Sequence, residues 1–494
     1  MKLRQIIIFG LILLMVLPLL AACNRDDDTP KETLPPVDQN PIINTDENPN
    51  LAAIDGGGRE FHFLVRKPNA EFTYKYSEIL DDMSGAEVNE DVVERNSLIE
   101  EKYNVIITAT PVTNNMVAEV DQKQFAGDTA YDIIMPMIEN AFMMACKGLL
   151  TEWDKIPFVN VEKSYWRKDI YDATTVGGYQ FFAVGDQNFS AYNTVPVMFF
   201  NKVMHTNLGL NNLYNMVKEG TWTQAAMQEM ATIATSIDPD GNGTAQTDIY
   251  GLVSGPFVWQ PFFYASGMTL VAKDENDVPS LSAITTSSET TIDIIEDIVG
   301  LMNDNSRAGL TTEIGYSGRG FEKFAEGGCL FYVECIYGQF QLTNMEADYG
   351  ILPMPVWNEG DKYTSYIHAS HSSVTALPLL VKDPKLSGSI MEDMAYYSKQ
   401  LIVPTFYEDL IQHRNVRDAE SFEMLGIIFD NIILDLGQVM KTAGLEIDND
   451  VRGFVSNDSP DVIASTFAEK MSAYKYVVEF LTGAYTTEGA KQYQ

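Results

Sequence analysis

The sequence predicts an α/β protein built in two lobes, and three observations carry that reading. Strand-like and helix-like stretches alternate through the first third of the folded part at the spacing of βαβ units, which implies a parallel sheet. After a polar leader, about 435 of the 494 residues remain, more than one ordinary core accommodates. Hydrophobic residues at 45% and aromatics at 11% are ample for burying cores of that size.

The elements follow in order. Glu60 to Arg66 alternates apolar and polar as a strand does. Asn89 is placed to cap a helix running to Tyr103, with Val92, Val93, Asn96, Ile99 and Tyr103 along one face. Val105 to Thr110 is β-branched and reads as the next strand. A helix over Met116 to Phe125, a buried strand over Tyr131 to Met135 and a helix over Glu139 to Leu149 complete the alternation. Residues 172–200 read as strands and turns. Thr221-Trp222-Thr223-Gln224 has the form of a capping box opening a helix to about Ile237. Further helices are expected at Glu289–Met302, Gly320–Glu326, Ser387–Leu401, Ala419–Ile433 and Ile463–Leu481, so helices outnumber strands in the second half. No internal repeat is visible.

The N-terminus has a different character. Lys2 and Arg4 precede an apolar run from Ile6 to Leu20, shorter than the roughly 20 residues that span a bilayer. Small residues follow in Leu20-Ala21-Ala22-Cys23, the pattern of a secretion signal over residues 1–22. The cysteine in that position resembles the bacterial lipobox, in which the sulfur takes a diacylglyceryl group. Two acyl chains meet the requirement for stable anchoring, so Cys23 is the expected lipid anchor on the outer face of a cell membrane. The alternative is an uncleaved signal anchor with a chance cysteine. From residue 23 to 58 the chain is rich in Asp, Asn and Thr, carries five prolines and ends in Gly56-Gly57-Gly58. That composition predicts a disordered, extended tether.

The formal charge is −36, and −38 once the two cations of the leader are removed. A surface so acidic repels phosphate and argues against nucleic acid as a partner. Cys146, Cys329 and Cys335 form an odd set with no CxxC spacing. Three buried thiols are the expected state, with a Cys329–Cys335 bridge as the alternative. The motifs HExxH, GxSxG, GxxxxGK[ST] and GxGxxG are absent.

Several segments, colinear behind the lipobox, resemble the extracellular solute-binding proteins of ABC importers, the maltose-binding-protein-like family 1. They are Asn89–Asn96 (NEDVVERN), Glu100–Val105 (EEKYNV), Gly127–Ile134 (GDTAYDII), Phe199–Lys202 (FFNK), Glu219–Thr223 (EGTWT), Tyr349–Pro355 (YGILPMP) and Arg417–Leu425 (RDAESFEML). The resemblance implies a periplasmic-binding-protein-like fold of two α/β lobes, each a mixed, mostly parallel sheet flanked by helices and joined by hinge strands. It assigns residues 59–194 with 354–402 to the first lobe and 196–352 with 403–494 to the second. It also implies a monomer without enzymatic activity that captures a solute, an oligosaccharide being expected, and delivers it to the transmembrane subunits of an ABC permease by hinge closure.

Sugar-binding clefts present flat aromatic faces with carboxylates and amides around them. Trp259 and Tyr264, in GPFVWQPFFYASG, and Glu334 and Tyr337, in YVECIYGQF, fall in segments resembling the family's cleft; core packing is the alternative, and is favoured for Phe262 and Phe263. Asn140, Asp186 and Tyr192 are polar candidates on the first lobe. Trp166 belongs either in the cleft or on the surface. His368 and His371 have a metal-like spacing but no third ligand, so a polar cleft rim or surface loop is expected for them. No cofactor is required. One loop has the oxygen ligands of a structural Ca²⁺ site at Asp238, Asp240, Asn242, Thr244 and Asp248, with Gly243 at the sixth position. It departs from the EF-hand pattern in ending on Asp at position 11, and a type I turn is the alternative. Two rival functions stay open: a surface-anchored polysaccharide-degrading enzyme, which needs only two carboxylates at the right separation, and a peptide-binding importer receptor.

Overall fold

A computed structural model describes residues 47–68, 77–80, 87–113, 115–237, 241, 247–254, 259–285, 288–304, 308–310, 320–342, 345–406 and 419–488. Cys23, the signal segment and four of the five calcium-loop candidates (Asp238, Asp240, Asn242 and Thr244) lie outside the described residues.

Among the described residues fourteen strands run in chain order: β1 Arg59–Arg66, β2 Val105–Val112, β3 Ile133–Met135, β4 Phe182–Ala183, β5 Pro196–Asn201, β6 Tyr250–Ser254 and β7 Ala272–Lys273. Then come β8 Pro279–Ser280, β9 Ala308–Leu310, β10 Cys329–Cys335, β11 Tyr349–Leu352, β12 Ser365–Tyr366, β13 Thr375–Ala376 and β14 Ile432–Ile433. Four of them make the two-stranded sheets β12-β14 and β7-β8; the other ten form two five-stranded sheets, ordered β2-β1-β3-β13-β4 and β11-β5-β10-β6-β9. Both sheets are mixed. In the first, β1 pairs in parallel with β2 and β3, and β13 runs antiparallel to β3 and β4. In the second, β10 is antiparallel to β5 and parallel to β6.

Each sheet is covered on both faces. Along β1, Phe61, Phe63 and Val65 join one core cluster with Ile99, Tyr103 and Ile390, while Leu64 joins a second with Val88, Val92 and Ile138. This two-sided burial is what a parallel strand between helix layers requires. In the second sheet all six residues of β5 are buried, as suits a strand that leads from the first sheet into the middle of the second.

The helices follow the predicted periods closely. Glu87–Tyr103, Met116–Phe125, Ile138–Cys146, Ser288–Asn303 and Ile463–Gly483 all stand where the sequence places them, within a turn at each end, whereas the helix expected over Ala419–Ile433 stops at Phe429 and Ile432–Ile433 form β14, paired with β12. Glu87 and Glu90 in the first turn and Lys102 in the last complement the helix dipole of the first of these. One start differs. The helix after Gly220 is capped by Thr223, whose hydroxyl accepts from Ala226 N at 3.1 Å, and runs Gln224–Ala234. Thr221 and Trp222 instead close the preceding helix, both backbone amides donating to Met216 O, so the predicted capping box is displaced by two residues.

The end of the predicted tether lies against the body. Gly56 N and Gly58 N donate to Tyr103 O and Asn104 O, both at 2.7 Å. A Cβ on Gly56 would stand 2.3 Å from Val105 Cγ1, so glycine is the residue that lets the chain come this close. Asp55 Oδ1 accepts from Gly57 N and from Asn104 Nδ2. The glycine run that reads as slack is a docking turn.

Candidate functional site

In the first sheet the chain steps from β1 outward to β2, then crosses back to β3 on the other side of β1. The strand order therefore reverses between β1 and β3, and in open α/β sheets ligands bind beyond the carboxyl ends of the strands at such a point. A pocket lies there. It is small and partly open to solvent, and is lined by Val65 and Arg66 at the end of β1, with Pro68, Glu78, Ser190, His371 and Ser373.

Glu78 is the pocket's acid, half-buried. Its Oε1 accepts from Ser190 N at 3.2 Å, from the Ser190 hydroxyl and from Ser373 Oγ at 2.8 Å; Oε2 accepts from Ser373 Oγ at 2.8 Å. Burial pushes its carboxyl above the ordinary range, while the Ser190 and Ser373 hydrogen bonds and the charge of Arg95 oppose the rise. Arg95, itself fully buried, holds the segment in place by donating from Nη2 to Glu78 O at 2.7 Å and from Nη1 to Ser398 Oγ at 3.0 Å.

The 3₁₀ segment Asp186–Thr194, wholly buried, supplies the second wall. Asn188 Nδ2 donates to Ser373 Oγ at 3.1 Å, Thr375 Oγ1 donates to Asn188 Oδ1 at 3.0 Å, and Gln187 Nε2 donates to Thr375 Oγ1 at 2.8 Å. This side-chain ladder fixes Ser190 and Ser373 on either side of the Glu78 carboxyl. On the rim, Arg66 Nη1 donates to His371 O at 3.1 Å. His371 Nδ1 and His368 Nδ1 stand 3.1 Å apart, with Ser370 Oγ 3.0 Å from the latter. Both histidines are half-buried, and His371 is in the lining.

The eight ligand candidates named from sequence stand elsewhere. Trp259 and Tyr264 belong to a helix, Trp259–Ala265, in which every residue is buried. Tyr264 donates from its hydroxyl to Asp435 Oδ2 at 3.0 Å and packs 4.7 Å from the Tyr366 ring. Trp166 is packed edge-on against Trp153 at 5.2 Å, and its Nε1 donates to Glu392 Oε2 at 2.9 Å; it is buried, which corrects the surface assignment. Tyr337 is buried in a short 3₁₀ turn, and half-buried Glu334 accepts from Cys335 N at the end of β10. Asp186 and Tyr192 bond each other at 3.3 Å in the same 3₁₀ segment that carries Ser190. Asn140 is half-buried in the first turn of Ile138–Cys146. Asp248 is buried and accepts from the Tyr250 hydroxyl at 3.2 Å. Sequence reading missed Arg66, Glu78, Ser190 and Ser373. The signal for Arg66 was its place at the carboxyl end of the first strand; Glu78, Ser190 and Ser373 carry no local signature.

Chemically, the lining offers one carboxylate, one guanidinium, one imidazole and two hydroxyls. That set hydrogen-bonds a small polar molecule in several directions. It lacks the second carboxylate that glycoside hydrolysis requires among the described residues of the lining.

No protein-family model matches the chain, and no curated protein matches it. Solved structures do. An ABC substrate-binding protein from Listeria monocytogenes, in complex with cycloalternan, aligns at 14% identity over 84% of this chain and 98% of its own, with a TM-score of 0.54. The GacH receptor of Streptomyces glaucescens, solved unliganded and with acarbose, aligns at 14% identity over 85% and 99%, with a TM-score of 0.52. UgpB from Mycobacterium tuberculosis, in complex with glycerophosphocholine, aligns at 13% identity over 86% and 99%, with a TM-score of 0.55. These likenesses show the fold: two α/β lobes of the periplasmic-binding-protein type, with mixed sheets flanked by helices.

Proposed function

We propose that this chain is a lipid-anchored substrate-binding protein that captures a small saccharide between its lobes and presents it to an ABC permease. The observation that carries the proposal is the polar pocket at the switch point between β1 and β3 in a chain of this fold. The cycloalternan and acarbose complexes of similar folds support a saccharide. The strands of the first sheet come from residues 59–183 and 375–376, those of the second from 196–352, which supports the lobe division given above. Capture would close the lobes only to the extent that ligand contacts are stronger in the closed state. Arg66 in the lining and the glycerophosphocholine complex of a similar fold favour a second reading, a glycerophosphodiester as ligand.

The test is calorimetry of the intact protein against oligosaccharides, glycerophosphodiesters and short peptides, with product analysis of each mixture. Saccharide binding without turnover is expected. Hydrolysis of a glycan would establish the enzyme instead, and binding of peptides alone the peptide receptor. Anchoring rests on Cys23: Cys23→Ser should release the protein from membranes or leave the precursor uncleaved. The proposal includes a structural Ca²⁺ at Asp238–Asp248, so chelator should lower the melting temperature and Asp240→Ala should remove that response.

A further inference from the structure

The last long helix of the chain, Ile463–Gly483, is rooted in one lobe and ends in the other. Its first turns pack on helices beside the second sheet. Phe467 stands edge-on to Phe454 at 5.9 Å, and Lys470 Nζ and the Tyr474 hydroxyl both donate to Asp450 of the helix Ile447–Ser456. That helix is tied to Ser288–Asn303 by Asn303 Nδ2, which donates to Val455 O at 2.9 Å, and Ser288–Asn303 packs on β9 at the edge of the second sheet. The final turn of Ile463–Gly483 passes to the first lobe, where Cys146 Sγ donates to Leu481 O at 3.8 Å. The helix then continues as the π-helical turn Ala484–Glu488.

Tyr485, in that turn, is fully buried in a socket of first-lobe residues. Its ring stacks on Phe142 at 4.9 Å and meets Phe181 edge-on at 5.0 Å. Its hydroxyl donates to Gln180 Oε1 at 2.8 Å, with Thr174 O at 3.3 Å. The socket is braced from within its own lobe: Gln180 Nε2 donates to Tyr171 O at 2.8 Å and to Thr174 Oγ1 at 2.6 Å, and Oε1 also accepts from Phe181 N at 2.8 Å. Phe142 lies on the helix after β3 and Phe181 just before β4, so both walls belong to the layer of the first sheet. A Cβ on Gly177, at φ +56°, would stand 2.7 Å from Thr486 Cγ2, so the turn seats closely only against glycine. The β7–β8 hairpin of the second lobe grips the same stretch, Lys273 Nζ donating to Thr175 O at 2.9 Å and Gly177 N to Asp277 O at 3.0 Å.

We propose that Tyr485 is an interlobe peg: it fastens the last helix of the second lobe to the first lobe and limits the angle through which the lobes open. The ring holds by buried apolar area and aromatic contact, and the hydroxyl sets its depth in the socket. Between Tyr474, bonded to Asp450, and Tyr485 the chain stays helical for about 16 Å, so the segment acts as a strut between the lobes. The socket also reaches the candidate pocket through one helix. At the start of Ile138–Cys146, Ile138 N donates to Ser372 O at 3.0 Å and Glu139 N to Ala369 O at 3.3 Å, in the segment that gives His371 and Ser373 to the lining. Further along, the same helix carries Phe142 and Cys146 to the peg. A rotation of the lobes therefore pulls on the pocket rim and on the peg through one packed element.

The native cysteines test this in the full chain without any ligand. Cys146 is half-buried beside the peg, and burial pushes its thiol up to about 12, which slows alkylation; Cys329 is fully buried in β10 and reacts only when the second lobe unfolds. Alkylation by N-ethylmaleimide, read peptide by peptide, should be roughly ten- to a hundredfold faster at Cys146 in Tyr485→Ala than in the parent, and Cys329 should accelerate far less. Small-angle X-ray scattering of the same samples should show a larger radius of gyration. Tyr485→Phe keeps the ring and should match the parent in both readouts. Tyr485→Leu, which serves if the alanine variant does not fold, should move both in the alanine direction by less. A folded Tyr485→Ala or Tyr485→Leu chain with the parent's radius of gyration, or equal acceleration at Cys146 and Cys329, would overturn the peg and leave Tyr485 as ordinary core.

Discussion

The helix Trp259–Ala265 is wholly buried and the pocket at Glu78 is half-buried; each has a shielded acid beside it, yet the acids are satisfied in different ways. Asp435, beside the helix, accepts from three backbone amides, Leu270, Val271 and Gly437, and from the Tyr264 hydroxyl, so both oxygens are filled by donors the fold fixes. Gln260 is similarly locked, donating from Nε2 to Asp448 Oδ1 and accepting from the Tyr366 hydroxyl. Glu78 is held by one amide and two hydroxyls, and hydroxyl donors rotate. Its neighbours enclose open space where those of Asp435 enclose rings. Backbone donors around an acid make a core; rotatable donors facing a void make a site.

The largest effect that separates the two regions is on stability. Trp259→Ala should cost about 3–5 kcal/mol by the cavity it leaves, read as a lower chemical-denaturation midpoint. The protein that remains folded should bind ligand with parent affinity; a selective loss of affinity with stability intact would move Trp259 into the site. Trp166→Phe is the smaller companion. It keeps the ring against Trp153 but removes the donor to Glu392, leaving Tyr165 and the Asn160 amide on that buried carboxylate, at a cost of about 1–2 kcal/mol with affinity unchanged. Ser373→Ala should reach affinity as well. Loss of a hydroxyl that donates to Glu78 and accepts from Asn188 should weaken ligand binding by roughly three- to tenfold, about 0.5–1.5 kcal/mol, beside a stability cost of about 1–2 kcal/mol like that of Trp166→Phe.

The same contrast explains what was legible in the chain. Element types follow from local period, so β1, the helix Met116–Phe125 and the helix Ile463–Gly483 could be read from residues alone. The α/β class followed from their order, and the mixed sheets in two lobes from the resemblance to solute-binding proteins. The site could not be read that way. Arg66, Glu78, Ser190 and Ser373 are brought together from four parts of the chain, and a serine that donates to a shielded acid looks like any other serine in sequence. Aromatic density drew attention to GPFVWQPFFYASG, but the run is apolar on every side of its helix, which is the pattern of a core helix. The end of the tether shows the converse error. Asp, Asn and Gly predict slack when counted, yet Asp55, Gly56 and Asn104 make a specific turn when placed.

The most direct test of the account is titration calorimetry of Glu78→Gln with whichever saccharide or glycerophosphodiester binds the parent chain. Gln keeps the volume but alters the charge and one acceptor, and removing an ion that burial disfavours leaves stability equal or higher. The account predicts a loss of affinity of roughly ten- to a hundredfold, about 1.5–3 kcal/mol, in a protein that melts no lower than the parent. Parent affinity in Glu78→Gln, with that affinity lost in a folded Trp259→Ala chain, would contradict it and return the site to the aromatic helix.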